Sequence, residues 1–293
     1  MTTERQAQTF EIDAKGLELR LTAAPVAWGK GRWPATDWID GELLWCLRDH
    51  DGAYLVRARQ SNPETLAVSG FASRDEAERW LTKCLGWGQE QPQFEEPVVA
   101  QWLTSQPGLR PYANGSLAEG VLFSIIGQSI TVQAAAVTER RVSAMFTPPL
   151  TVDGREFYPF PLLEDLANAT AAQIRESGVT WRRAEAIVAI AKIACEGGLI
   201  SDEAAMADPD EAYKALRALP LVGPWTAASA MLWGLGAADA HPTGDVALLR
   251  AAKAAYDRPE MTLKDLDKLA EAWRPSRGWA ARSLWLSLLG PAT

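Results

Sequence analysis

Apolar and polar positions alternate with a period of two over Thr9-Phe-Glu-Ile-Asp-Ala14 and Leu17-Glu-Leu-Arg-Leu-Thr22, which predicts two short strands. Residues 43–58 hold two further β-like runs, separated by His50-Asp-Gly52, a hairpin signal. Trp28, Trp33 and Trp38 lie in the Gly/Pro-bearing connection between these segments. From Ser73 the period changes. Ser73, with Glu76 three residues later, forms a capping box ahead of apolar residues at helical spacing up to Leu85. A polar Gly/Gln/Pro stretch follows between Gly86 and Glu96.

Beyond it the pattern is helical. A short helix spans 98–106 and stops at Pro107-Gly108, and a broken apolar helix pair covers 116–145 around Gly127-Gln-Ser129. Residues 157–161 form a loop, and two helices flank Gly178–Arg183. Further helices start at Asp208, Pro224, Asp245 and Thr262, and the last runs from Pro275 to Leu289. The predicted fold class is α+β: an N-terminal antiparallel β domain over residues 1–95 and a predominantly helical region over 96–293.

Composition narrows the function. No run of about eighteen apolar residues exists, and the first residues are polar, so a cytoplasmic protein without a membrane partner is expected. Three distant cysteines and two histidines argue against a disulfide framework, a zinc site and an iron–sulfur cluster. The net charge of −8 speaks against nucleic acid. From residue 219 onward, however, eight Lys/Arg face seven Asp/Glu, so a local basic face remains open.

Two segments carry candidate chemistry. In Leu219-Pro-Leu-Val-Gly-Pro-Trp-Thr-Ala227, Pro220 helps stop one helix and Pro224 suits the first turn of the next. Gly223 permits a backbone that a side chain disfavours. The N–H groups of Gly223, Trp225 and Thr226 can point at an anion, and the preceding carbonyls can converge on a monovalent cation; an ordinary helix turn has the same spacing. Asp245, after Thr243-Gly244, stands at an N-cap; it is either only a cap or a carboxylate aimed across a cleft at developing positive charge. Gln128 lies at a helix junction, as a local hydrogen-bonding residue or as part of a loop that probes stacked bases. Trp181, Trp225 and Trp285 are core residues or stacking platforms.

These pieces occur together in one family. The hairpin segment followed by Pro242-Thr-Gly-Asp245, together with Ile125-Ile-Gly-Gln-Ser-Ile-Thr-Val-Gln-Ala-Ala135, resembles the helix-hairpin-helix DNA glycosylases. Pro107-Gly-Leu-Arg-Pro111, Tyr158-Pro-Phe-Pro161, Arg182-Arg-Ala-Glu-Ala186 and the run from Trp273 to Trp285 are similar to the bacterial 3-methyladenine DNA glycosylase II branch. The match runs from about residue 97 to 289; the N-terminal strands are compatible with that branch's β domain.

The resemblance implies a monofunctional enzyme that hydrolyses the N-glycosidic bond of alkylated purines flipped from duplex DNA. It implies a catalytic role for Asp245, and a base pocket of Trp225, Trp285 and Ser229. Gln128, Ser129 and Ile130 would enter the duplex, while Gly223 and Thr226 grip phosphate. Backbone carbonyls of Arg217, Leu219 and Val222 would hold a structural Na+ or K+; no other cofactor is required. The expected partner is double-stranded DNA with a damaged base, and the expected state is a monomer.

Some positions depart from the pattern. Trp225 stands where bifunctional relatives carry a Schiff-base lysine, so no lyase activity is expected. Ser129 is small where that branch can place a bulky wedge, Ser229 replaces a pocket aromatic, and Pro224 stands where a basic residue can occur. Three alternatives stay in view: a helix-hairpin-helix DNA-binding protein without catalysis, a glycosylase for another damaged or deaminated base, and a helical protein unrelated to DNA.

Overall fold

The computed structural model describes residues 8–27 and 33–288; Trp28 and Leu289 fall outside the described residues. Five strands build an antiparallel sheet: β1 (Phe10–Asp13), β2 (Thr36–Ile39), β3 (Glu42–Asp49), β4 (Gly52–Asn62) and β5 (Thr65–Ser69), in the order β1-β5-β4-β3-β2. The hairpin at His50-Asp51 pairs Asp49 with Gly52, as the sequence pattern predicts. Alternation sends Ile12, Leu43, Trp45, Val56 and Val68 to one buried face, where α3 (Arg74–Leu85) seats Leu81 and Leu85. The Ser73 hydroxyl accepts the Glu76 N–H and Gly86 closes the helix in the left-handed region.

The strand expected over 17–22 is not formed. Lys15 and Gly16 both adopt positive φ (47° and 71°), which ends the extended chain, and Leu19–Thr22 winds into the short helix α1, followed by α2 (Ala24–Ala27). The Gln60 side chain holds this turn from across the sheet, accepting from Leu19 N–H and donating to Leu17 carbonyl, both at 2.8 Å. Leu17 and Leu19 are fully buried in the helical arrangement too, so the apolar alternation did not discriminate.

The helical region begins with α4 (Pro97–Thr104) and continues with α5 (Leu117–Gly127) and α6 (Val132–Ala144), which meet at a bend of 119°. No single helix among the described residues is long and apolar enough to cross a membrane. A two-stranded ribbon, β6 (Leu150–Val152) and β7 (Arg155–Phe157), turns through Asp153 and Gly154 at positive φ. The loop expected over 157–161 follows the ribbon, starting one residue later than expected; the ribbon itself is marked in the sequence by Asp153-Gly154 between alternating residues. It packs Leu150, Val152 and Phe157 against Leu44 and Cys46 on the second face of the sheet. Arg155–Asp37 (2.8 Å) fastens the same contact, and Arg48–Asp165 (2.6 Å) ties the sheet to the helix over Leu163–Asn168.

The remaining helices are α7 (Leu163–Asn168), α8 (Ala171–Arg175), α9 (Trp181–Cys195), α10 (Asp202–Ala207), α11 (Pro209–Arg217), α12 (Pro224–Leu235), α13 (Val246–Ala255), α14 (Leu263–Ala270) and α15 (Arg277–Ser287). Helices α5 and α12 cross at Gly120 and Gly234. A Cβ on Gly120 would lie 2.5 Å from Ala230 carbonyl oxygen, and one on Gly234 would lie 2.7 Å from Ser116 carbonyl oxygen. This crossing fixes the end of α5 relative to the start of α12.

One buried acid stands out. Glu139 on α6 is 7% exposed with an unpartnered Oε2. Burial, with Glu119 adding to the push, raises its carboxyl to about 8. A raised folded-state value means the acid stays protonated when the unfolded chain has already ionised. Its contribution to stability is complete below the ordinary carboxylate range and is lost as pH rises through about 8. Urea midpoints measured between pH 5 and pH 8 should therefore fall with pH in the wild type, and Glu139→Gln should flatten that slope.

Candidate active site and nucleic-acid interface

The hairpin between α11 and α12 is built from its own caps. Asp208 accepts the Glu211 N–H at 3.0 Å to start α11. Pro224 occupies the first turn of α12, and Gly223 provides no side-chain cap. The first-turn N–H groups of Trp225 and Thr226 thus have no intrahelical acceptor and lie at the positive end of the helix dipole.

The backbone turn is not where the sequence placed it. Gly223 is extended (φ −82°, ψ 178°), a conformation open to any residue; Leu221 carries the left-handed geometry, φ 60°. A Cβ on Gly223 would meet only Arg217 Nη1, at 3.8 Å. The glycine therefore leaves room outside the protein rather than relieving strain within it. Leu221 is held from outside the hairpin, since its carbonyl accepts Gln128 Nε2–H at 2.9 Å.

That contact also changes the role of Gln128. Its side-chain amide donates a second bond to Thr226 Oγ1 at 2.8 Å, and its backbone carbonyl accepts from the Arg183 guanidinium. The Gln128 side chain, expected to enter a duplex, is instead spent on tying the α5–α6 junction to the hairpin. Thr226 is 3% exposed and its hydroxyl is taken by Gln128, so its side chain is not available to a phosphate. The outermost residues of the junction are Ser129, at φ 54°, and Ile130, 38% exposed. Nearby in sequence Val132 and, at the start of α9, Trp181 are about half exposed, which removes the core reading for Trp181.

Asp245 reaches the hairpin directly. Its Oδ1 accepts the Leu248 N–H at 2.7 Å, capping α13, and its Oδ2 accepts the Trp225 indole N–H at 2.9 Å. The cap and the site carboxylate are thus the same group. Each oxygen has one fixed donor, so the carboxylate plane is set by two elements at once. The half-buried group keeps lone pairs for a ligand.

The loop that delivers Asp245 is anchored by a residue the sequence did not single out. His241 is buried, lies with Nε2 2.9 Å from Asp267 Oδ1, and meets the Trp273 ring edge-on. Asp245 N–H closes the turn onto Pro242 carbonyl at 3.1 Å. The sequence signal was there in His-Pro-Thr-Gly-Asp, but the partners lie more than twenty residues downstream.

Trp285 takes a different position from Trp225. It is 6% exposed and stacks on Trp233, ring centroids 5.4 Å apart and 23° from parallel. Arg282 lies over the other ring of that pair, Trp233, and donates to Leu232 carbonyl; burial pushes its guanidinium down to about 9. Ser229 lies four residues past Trp225, on the same side of α12, and is buried. Ser229 Oγ and Trp285 Nε1 are both buried polar atoms without a partner. Such atoms carry a desolvation cost of ~1–3 kcal/mol each, which a bound polar group can relieve.

The three carbonyls proposed for a monovalent cation are not equivalent. Val222 carbonyl already accepts Arg217 Nη1–H at 2.8 Å, and Leu219 carbonyl accepts Val222 N–H at 3.3 Å. A full positive charge therefore sits at one corner of the would-be ion site.

No family model matches the chain. The DNA-3-methyladenine glycosylase 2 of Escherichia coli (strain K12) is 30% identical to it over 195 residues. That match covers 66% of this chain and 66% of the E. coli protein, so it spans just under two thirds of the relative. Among solved structures, a 3-methyladenine DNA-glycosylase from Archaeoglobus fulgidus is similar at a TM-score of 0.76 and 22% identity, covering 94% of this chain and 97% of that one. A Clostridium acetobutylicum 8-oxoguanine glycosylase/lyase, in complex with double-stranded DNA containing cytosine opposite 8-oxoG, is similar at a TM-score of 0.73 and 17% identity. The coverage there is 96% and 97%.

Proposed function

We propose that the chain is a member of the helix-hairpin-helix DNA glycosylase superfamily, similar to the 3-methyladenine DNA glycosylases it matches, and that it is a monofunctional DNA glycosylase of base excision repair, hydrolysing the N-glycosidic bond of alkylated purines flipped out of duplex DNA. The observation that carries this reading is the 2.9 Å bond from Trp225 Nε1 to Asp245 Oδ2. It joins the phosphate-binding hairpin to a carboxylate whose other oxygen is fixed by Leu248 N–H.

The steps follow from those groups. The helix N-terminus at Trp225 and Thr226 holds a phosphate through its free N–H groups. Ile130, or Ser129 beside it, fills the gap left by the extruded nucleotide. The bond between C1′ and the base nitrogen then breaks, and its electron pair leaves with the base. A cationic alkylated purine becomes neutral in doing so and needs no strong general acid. The Asp245 carboxylate faces the oxocarbenium-like sugar, stabilises its positive charge, and takes the proton of the water that adds to C1′. Trp225 offers an aromatic face to the cationic base. Residue 225 is a tryptophan and supplies no amine for a Schiff base, so the abasic strand is left uncut.

A second reading has its own observation. The unpartnered hydroxyl of buried Ser229 stands where the resemblance implies an aromatic, which favours a base bearing an extra hydrogen-bonding group, such as hypoxanthine. Release of free base from duplexes carrying 3-methyladenine, 7-methylguanine, hypoxanthine or ethenoadenine distinguishes the two. Methylated purines released faster than the others support alkylation repair. Release of hypoxanthine alone would replace it, and release from none would remove the glycosylase reading.

A further inference from the structure

We infer that the Arg217 guanidinium is the hairpin's built-in cation, standing in for the monovalent metal ion between the hairpin carbonyls and the DNA phosphate. The inference rests on the reading of this hairpin as a phosphate site. Arg217 closes α11, where a basic side chain complements the negative end of the helix dipole. Its Nη1 donates to Val222 carbonyl at 2.8 Å, bridging the two ends of the turn that a shared ion would otherwise bridge. The same nitrogen lies 3.8 Å from where a Gly223 Cβ would be, so the guanidinium sits beside the N-terminus of α12 and its free N–H groups.

Charge and donor geometry favour the side chain over an ion. Arg217 is the only charged residue from 217 to 226, and Pro224 brings neither charge nor N–H. A metal ion at Val222 carbonyl would share one oxygen with a permanent cation, and two like charges at that separation repel. A guanidinium has five N–H donors. With one spent on Val222, the others suit the paired oxygens of a phosphate. Gly223, having no side chain, leaves the approach open. Arg217 is thus a positioning residue for the turn and a phosphate contact, and it supplies the charge missing at position 224.

Two measurements test this on the full chain: thermal unfolding without DNA, and duplex affinity by fluorescence anisotropy. Both are made in potassium, sodium and tetramethylammonium chloride at one ionic strength. The wild type should melt and bind equally in all three salts. Arg217→Gln should bind about tenfold more weakly, with a salt slope shallower by about one. It should also gain a dependence on potassium or sodium, in melting and in binding, because the carbonyls it vacates are then open to an ion. A wild type that loses stability or affinity in tetramethylammonium overturns the inference, as does an Arg217→Gln chain indistinguishable from wild type. If the wild type binds no duplex in any salt, the DNA reading fails instead, and the melting curves still decide the role of Arg217.

Discussion

Asp245→Asn is expected to lower single-turnover base release by on the order of 10²–10³ or more, the loss seen when a preorganised charge-stabilising group is removed, while leaving duplex affinity near wild type. The reasons lie in the two bonds that Asp245 makes. Asparagine keeps an oxygen for the Leu248 N–H and is a good N-cap, so α13 should survive. What it loses is the negative charge proposed to face the sugar. It also turns an NH2 toward the Trp225 indole N–H, where two donors meet and neither is satisfied. The phosphate contacts proposed for the hairpin are untouched, which is why binding and chemistry should separate. Trp225→Phe offers a graded check: it keeps an aromatic face, removes the donor to Oδ2, and should slow release less than Asp245→Asn does. Equal duplex binding and an unchanged release rate in Asp245→Asn would reduce Asp245 to a cap.

The second large effect concerns stability. Gly120→Leu is expected to destabilise the protein by ~3 kcal/mol or more, at the upper end of overpacking costs, and to lower its melting temperature by roughly 10 °C. A side chain at Gly120 points into backbone, with Ala230 carbonyl oxygen and Gly234 Cα both within 2.7 Å of the position of its first carbon. Neither atom is the end of a flexible side chain, so α5 and α12 must part. Those two helices carry the α5–α6 junction and the hairpin, so the damage should extend to DNA binding. Gly127→Ala on the same helix is the control. Its Cβ would make only an ordinary 3.8 Å contact with Ala135, and melting should be unchanged or slightly higher. A Gly120→Leu chain that melts like wild type would show that this crossing is looser than its geometry.

Much of the fold was legible because it is encoded locally. The Ser73, Asp208, Asp245 and Thr262 caps each act within four residues of themselves, and each starts a helix where the pattern says. The hairpin and the aspartate were legible for the same reason. What failed depends on partners far along the chain. Leu17–Thr22 alternates like a strand, yet Gln60, about forty residues on, holds its backbone in a turn. Gln128 reads as a probe until Leu221 and Thr226 are brought beside it. His241 has no local reason to be buried; Asp267 and Trp273 provide it. Gly223 took credit for a left-handed turn that belongs to Leu221, because the compensating bond comes from another helix. The bond between Trp225 and Asp245 sits in between: spacing brought both residues to notice, and only the fold joins them.

The most direct test of hydrolysis at Asp245 is a product analysis with the wild-type protein. Methylated duplex DNA is incubated with the protein, with and without borohydride. Free bases in the supernatant, strand integrity before and after alkali, and covalent protein–DNA adduct are then measured together. Free 3-methyladenine, strands cut only after alkali, and no adduct are the expected results. No released base, or a borohydride-trapped adduct accompanied by cutting without alkali, would contradict a monofunctional glycosylase acting through Asp245.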